Sequence, residues 1–412
     1  MIGSHDPIRH LRYLRQSLSQ DNESIGFFIS AGCPLSVAMP DDLWPLIPDV
    51  ANLSRHINKV LCEHKEYVKL LEEIKKAGKN AENVEDILSF LRALLSVAKG
   101  GEVRGLKEVD LLRLQNLICA EIVKKLNVTL PDQNTPYHSL GNWIKSIDRK
   151  IAIEIFTTNY DLLTEQALED LEIPYFDGFV GARRSFFDLR AVEDNLIPSH
   201  WSRLWKIHGS INWSQEIVDG QRKVFRSSEV RERAAVDEGS HLIYPSHLKY
   251  EESRKMPYLA LVDQLTRFIR RKSSFLILCG YSFNDGHIND AIVNALRANP
   301  TAMVLGLMYD KFHISTSDGD ELLRYPEAVR LASGQHNLNI WTYDRAIIGT
   351  NLGIWFKGIS DDELDKDLLE FIHVAVDHEG KSILGNEVRL GDFAKFSFFL
   401  KRMIGSRGGA HG

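Results

Sequence analysis

Paired cysteines are missing from this sequence. Its four cysteines, Cys33, Cys62, Cys119 and Cys279, stand far apart and no Cys-x-x-Cys occurs. That spacing argues against a cysteine zinc site and against a disulfide framework, and it predicts free thiols in a reducing compartment. No stretch approaches the ~18 consecutive apolar residues of a membrane span. The opening Met-Ile-Gly-Ser-His-Asp-Pro has no apolar signal core, so a cytoplasmic protein without a membrane partner is expected. Basic excess is missing too: 50 Lys and Arg against 56 Asp and Glu leave a net charge of −6. A protein whose main task is coating nucleic acid carries the opposite sign. Arg267, Arg270, Arg271 and Lys272 do cluster, but at the end of an expected helix, where they complement its dipole. The basic stretch Arg222 to Arg233 is interleaved by Glu229 and Glu232. Direct nucleic-acid binding is therefore not expected, nor is a metal site. Internal repeats and low-complexity tracts are absent as well.

The 412 residues are enough for two or three domains with a core of ordinary size. Leu11, Leu14 and Leu18 recur at helical spacing, and the apolar run Ile25 to Ile29 then leads into the small-residue loop Ser30 to Ser36. Strand, small-residue loop and helix is how a doubly wound sheet begins. Between about 50 and 130 the pattern becomes helical, through Leu53, Ile57, Val60, Leu61, Val68, Leu71 and Ile74, then Ile87 to Leu95, then Leu114 to Leu126. Three helices are predicted there, as an all-helical insert. Strands are expected at Ile151 to Thr158, Arg203 to Trp213, Ser274 to Cys279, Ala302 to Met308 and Leu338 to Tyr343. Helices are expected near 161–171, 258–271 and 286–298. This alternation predicts an α/β, Rossmann-like, doubly wound and mostly parallel sheet with an inserted helical subdomain and no zinc domain. The expected organisation is a first Rossmann part at 1–50, the helical insert at 51–134, the rest of the Rossmann domain at 135–345 and a C-terminal extension at 346–412. Its last residues, Ser406 to Gly412, are expected to fray.

Four segments carry chemistry. In Ser30 to Ser36, small residues let backbone N–H groups approach a pyrophosphate, and the same residues make an ordinary strand–helix turn. Phe156 to Asp161 follows a strand, at the end where open α/β sheets bind ligands. There Asn159 suits a ribose hydroxyl or a held water, or serves as a turn residue. Asp161 suits a ribose or an amide, or caps the next helix. His208 follows the apolar Leu204 to Ile207 and precedes Gly209. An imidazole there is fit to move a proton at neutral pH, or simply to brace a strand end. Gly280, Tyr281 and Ser282 form a second loop of nucleotide-contacting type. Asp285 is placed to cap the following helix, and His287 and Asn289 to orient the loop.

Taken in order, Ala31-Gly32, Thr157 to Asp161, Ile207 to Trp213 and Gly280 to Phe283 resemble the sirtuin-like family, and most closely its bacterial anti-phage NAD hydrolases. The resemblance covers about residues 22–50 and 135–345. Ser30 stands where the family has the first glycine of Gly-Ala-Gly, and Ala38-Met39-Pro40 where it has Gly-x-Pro. Deacetylating sirtuins carry four zinc-bound cysteines, which this chain lacks, so hydrolysis with water as acceptor is implied. The resemblance implies NAD as substrate. Asn159 would then position water and a ribose hydroxyl, and His208 would act as general base. Asp161 would hold the nicotinamide-ribose end, while Ala31, Gly32, Cys33, Gly280, Tyr281 and Ser282 cradle the cofactor. Tyr309 and Asp310 would meet the adenosine ribose. It also implies a homo-oligomer working with a HerA-type hexameric ATPase. A non-catalytic nucleotide-sensing or scaffold subunit is the alternative, with Ser30 in its favour.

Overall fold

The computed structural model describes residues 3–132, 134–218, 221–228, 240–243, 257–315, 320–357, 363–376 and 382–405. Its centre is a ten-stranded sheet. The strand order is Gly3–His5, Asn351–Trp355, Arg345–Ile348, Leu338–Trp341, Met303–Leu307, Phe275–Cys279, Ile25–Ile29, Glu154–Thr157, Ser202–Lys206, Tyr175–Phe176. Pairing is parallel except where Arg345–Ile348 meets its two neighbours. This is a mixed α/β architecture with a mostly parallel central sheet, compatible with a Rossmann-like fold.

Two of the inner strands are apolar throughout because both faces are covered. Ile25–Ile29 and Phe275–Cys279 are buried along their whole length. Successive side chains point to opposite faces. Phe27, Ile155, Leu204 and Ile277 enter one buried cluster, and Phe28, Phe156, Trp205 and Leu278 the other.

The segment Arg203 to Trp213 is expected to contain a strand, and the chain places parts of two there. Ser202–Lys206 belongs to the central sheet, while Gly209–Val218 turns away into a five-stranded antiparallel sheet. Gly209, at φ 93, makes the corner, and His208 sits on it. Between 50 and 126 there are four helices rather than three: Val50–Leu61, Lys65–Lys76, Val84–Val97 and Glu108–Leu126. A short hairpin, Glu102–Val103 with Leu106–Lys107, precedes the last. The turn at Cys62 to His64 contains neither glycine nor proline, so the spacing runs through it unbroken. Leu53, Ile57, Leu70, Ile87, Leu91 and Ile118 belong to the same buried cluster as Phe27.

After 350 the chain returns to the core. Phe393–Gly405 is a helix that packs along Pro136–Lys145, and the Phe396 ring lies 6.2 Å from that of Phe27. Residues 406–412, where fraying is expected, lie outside the described residues. Among the described residues no helix is long and apolar enough to cross a membrane.

Candidate active site

The carboxyl ends of the parallel strands come level with one another: Cys279 pairs with Ile29, Ile29 with Thr157, and Thr157 with Lys206. The next strand in sequence after Ile25–Ile29 lies on one side of it and Phe275–Cys279 on the other, which makes a topological switch point where ligands of open sheets bind. Here the two small-residue loops touch. The Ser30 N–H donates to the Cys279 carbonyl at 3.0 Å, and the Gly32 N–H to the Gly280 carbonyl at 3.1 Å. A Cβ on Gly32 would stand 2.8 Å from the Gly280 Cα, and one on Gly280, at φ +65, would stand 2.6 Å from the Cys33 nitrogen. Glycine is required at both by close backbone approach.

Two adjoining cavities open at these strand ends. The narrow one, about 270 Å³, is lined by Ser30, Asn159, Asp161, His208 and Asp285, and by Glu85 from the helical segment. The wide one, about 750 Å³, is lined by Gly32, Gly280, Tyr309 and Tyr325, with Asp49 and Asp392 on its walls. Ala31, Tyr281 and Ser282 border both. Of the residues singled out in the sequence, Asn159, Asp161, His208, Ala31, Gly32, Gly280, Tyr281 and Ser282 are thus brought to one continuous cleft. Cys33 lines neither cavity. Its N–H bonds the Ser30 carbonyl at 2.9 Å, its buried Sγ donates to the Cys279 carbonyl at 3.3 Å, and burial pushes the thiol well up. Asp310 lines neither cavity, and its carboxylate meets Arg324 at 2.7 Å.

Asn159 is anchored at both ends. Its N–H donates to Thr157 Oγ1 at 3.0 Å and its Nδ2 to the Ser30 carbonyl at 3.3 Å. The Ser30 hydroxyl lies 2.8 Å from Thr158 Oγ1, so the residue standing in for a glycine ties the two loops together. Asp161 stands one residue ahead of Leu162, which occupies the cap position of the Leu163–Asp170 helix, and its Oδ1 accepts from the Leu163 N–H at 3.0 Å. Beneath it the buried Lys206 ammonium donates to the Asp161 carbonyl and, at 2.9 Å, to Glu165. Burial holds the carboxyls of both Asp161 and Glu165 above the usual carboxylate range, and Lys206 offsets only part of that rise.

His208 is 5% exposed, stacked against Tyr258 at 6.4 Å and 22°. Its Nε2 stands 3.2 Å from Asp285 Oδ2, but out of line for a hydrogen bond, and makes no other. A buried polar atom in that condition, on the wall of a cavity, is open to a water or a ligand group. Asp285 Oδ1 meanwhile caps the Gly286–Ala298 helix through the His287 and Ile288 N–H groups. Asn289 accepts from the Tyr281 hydroxyl at 2.8 Å and donates to the Phe283 carbonyl at 2.7 Å, clamping a loop in which Phe283 has φ 61.

Residues 153–325 match the family model described as SIR2-like domain. The match supports a sirtuin-like family, and with it an NAD-related function. The SIR2-like segment contains the Asn159, His208 and Gly280 motifs. The Ser30 loop and the four helices lie ahead of it. Among curated proteins nothing matches the chain.

Three contributors to the cleft are not visible as such in the sequence. Glu85 arrives from a helix far from the motifs, Asp392 from the C-terminal segment, and the His208–Asp285 approach joins two loops. Only Asp285 carried a local signal, as a helix cap. Among the described residues no group of three or more His, Cys, Asp or Glu is placed to hold a metal ion.

Proposed function

We propose that this protein hydrolyses the nicotinamide–ribose bond of NAD, giving nicotinamide and ADP-ribose. The observation that carries the reading is the buried Nε2 of His208, facing Asp285 without a hydrogen bond, in the same chamber as Asn159. The chemistry needs a ribose held against a general base, a water aimed at the anomeric carbon, and exclusion of other water. His208 serves as the base toward a ribose hydroxyl or that water, Asn159 orients the water, and Asp161 borders the nicotinamide-ribose end. The pyrophosphate lies over Ala31, Gly32, Gly280 and Ser282, and the adenosine half fills the wide chamber beside Tyr309. The SIR2-like match and the pair of joined cavities support this assignment.

Such an activity drains a cell's NAD and so needs a trigger. In this reading the protein works in anti-phage defence, as a homo-oligomer with a HerA-type ATPase. The test is nicotinamide release from NAD by the purified protein, alone and with that ATPase, against Asn159→Ala and His208→Ala. Release that depends on both residues is expected. Equal residual release by all three would mean that the chain senses or scaffolds a nucleotide instead.

A further inference from the structure

The cleft is one-sided in charge. The described residues lining its two chambers include Glu85, Asp161, Asp285, Asp49 and Asp392, and no lysine or arginine. Two cations beside these elements are committed elsewhere: Lys206 is buried with Glu165, and Arg324 is paired with Asp310. Among the described lining residues a pyrophosphate meets backbone N–H groups and neutral side-chain donors, and a further anion meets carboxylates.

In the wide chamber two of these carboxylates are fixed in place. Asp392 Oδ1 accepts from Ser36 Oγ at 3.0 Å and from the Ala394 N–H at 2.8 Å, at the start of the Phe393–Gly405 helix. Asp49 Oδ1 accepts from the Asn52 N–H at 2.7 Å, at the start of Val50–Leu61. In both cases every one of these bonds falls on a single oxygen. Held this way, neither side chain swings aside to admit an anion without giving up its cap.

We infer that the cleft selects its dinucleotide by charge, with Asp392 and Asp49 rejecting a 2′-phosphate on the adenosine ribose. This rests on the proposed placement of the adenosine half in the wide chamber. A 2′-phosphate brings about −1.5 to −2 charges at neutral pH. In a partly enclosed site its repulsion by fixed carboxylates is strong enough for roughly tenfold discrimination or more. A ribose hydroxyl, by contrast, donates to the same carboxylates.

The test compares NAD with NADP on the full chain, by nicotinamide release and separately by equilibrium binding. NAD is expected to win by about tenfold or more in both, with the gap narrowing as salt rises from about 0.05 M to about 0.5 M. Asp392→Asn, alone and with Asp49→Asn, should narrow the gap by about tenfold through a gain for NADP. Asparagine caps a helix as well as aspartate does, so the fold is kept. Asp188→Asn, at a helix cap outside both cavities, should leave the gap as it is. NADP bound and cleaved as well as NAD would overturn the inference while leaving the hydrolase reading intact. So would a gap that neither salt nor the two asparagine variants move. Preferential binding of NAD without cleavage of either would sink the hydrolase reading and keep the charge selection. Binding of neither overturns both.

Discussion

In the narrow chamber the working groups are side chains. Asn159 and His208 stand at the ends of two neighbouring parallel strands, with Asp285 facing the imidazole. In the wide chamber the floor is backbone, at the Gly32–Gly280 contact, and one wall comes from Gly391 to Ala394, long after the last strand of the central sheet. The difference separates chemistry from fit. In the proposed reaction, chemistry hangs on single side chains, whereas fit hangs on close backbone approach and on a packed helix.

Four outcomes would break or sharpen that separation. The largest belongs to the narrow chamber: Asn159→Ala and His208→Ala should each lower nicotinamide release by about a thousandfold or more while melting within a few degrees of wild type. A variant that keeps a tenth of the activity would end the claim that these two carry the reaction. Next comes the packing behind the wide chamber. Phe396 is fully buried beside Phe27, and Phe396→Ala should cost about 3–5 kcal/mol in chemical denaturation. A cost under about 1 kcal/mol would show the C-terminal helix to be an accessory. Third, Gly280→Ala puts a side chain at φ +65 and 2.6 Å from the Cys33 nitrogen. About 1–3 kcal/mol of stability should go, together with dinucleotide binding, and intact binding would mean the floor is softer than it looks.

The smallest effect lies outside both chambers and sets a baseline for pH studies. Burial first, then the nearby His5 and Arg9, lowers the His10 pKa to about 4 from an ordinary 6.5. Unfolded, this ring takes a proton below 6.5; folded, it resists until about 4. Its contribution to stability is present above 6.5 and is lost as pH falls from there toward 4. Allowing for solvent around a partly exposed ring, about 1 kcal/mol should go between pH 7 and pH 5. Urea midpoints at the two pH values should differ less in His10→Gln. An equal difference would assign the acid sensitivity to other groups.

Much of the sheet was legible because strands buried on both faces tend to unbroken apolar runs, as at Ile25–Ile29 and Phe275–Cys279. The three-residue edge strand Gly3–His5 was not, since its partner Asn351–Trp355 is supplied by the far end of the chain. The corner at His208 was hidden by apolar residues on both sides of it, and Gly209 was the available clue. The split between Val50–Leu61 and Lys65–Lys76 left no trace because His64 takes the extended cap conformation without a glycine or proline. At the site, Asn159 and His208 could be read from their neighbours in sequence. Glu85 and Asp392 could not, because only the tertiary fold brings them to the cleft. Cys33 shows the opposite error: a small residue in a phosphate-type loop whose bonds are all turned inward.

The wall at Gly391 to Ala394 also bears on when the protein can first hold a ligand. A chain emerging from the ribosome will have made every strand of the central sheet, and both Asn159 and His208, before that wall exists. Until Gly391 settles against the Met308 carbonyl, the wide chamber lacks a side. A chain ending at Leu390 should therefore bind no dinucleotide, and the proposed NAD-draining activity would stay unarmed through nearly all of the chain's synthesis.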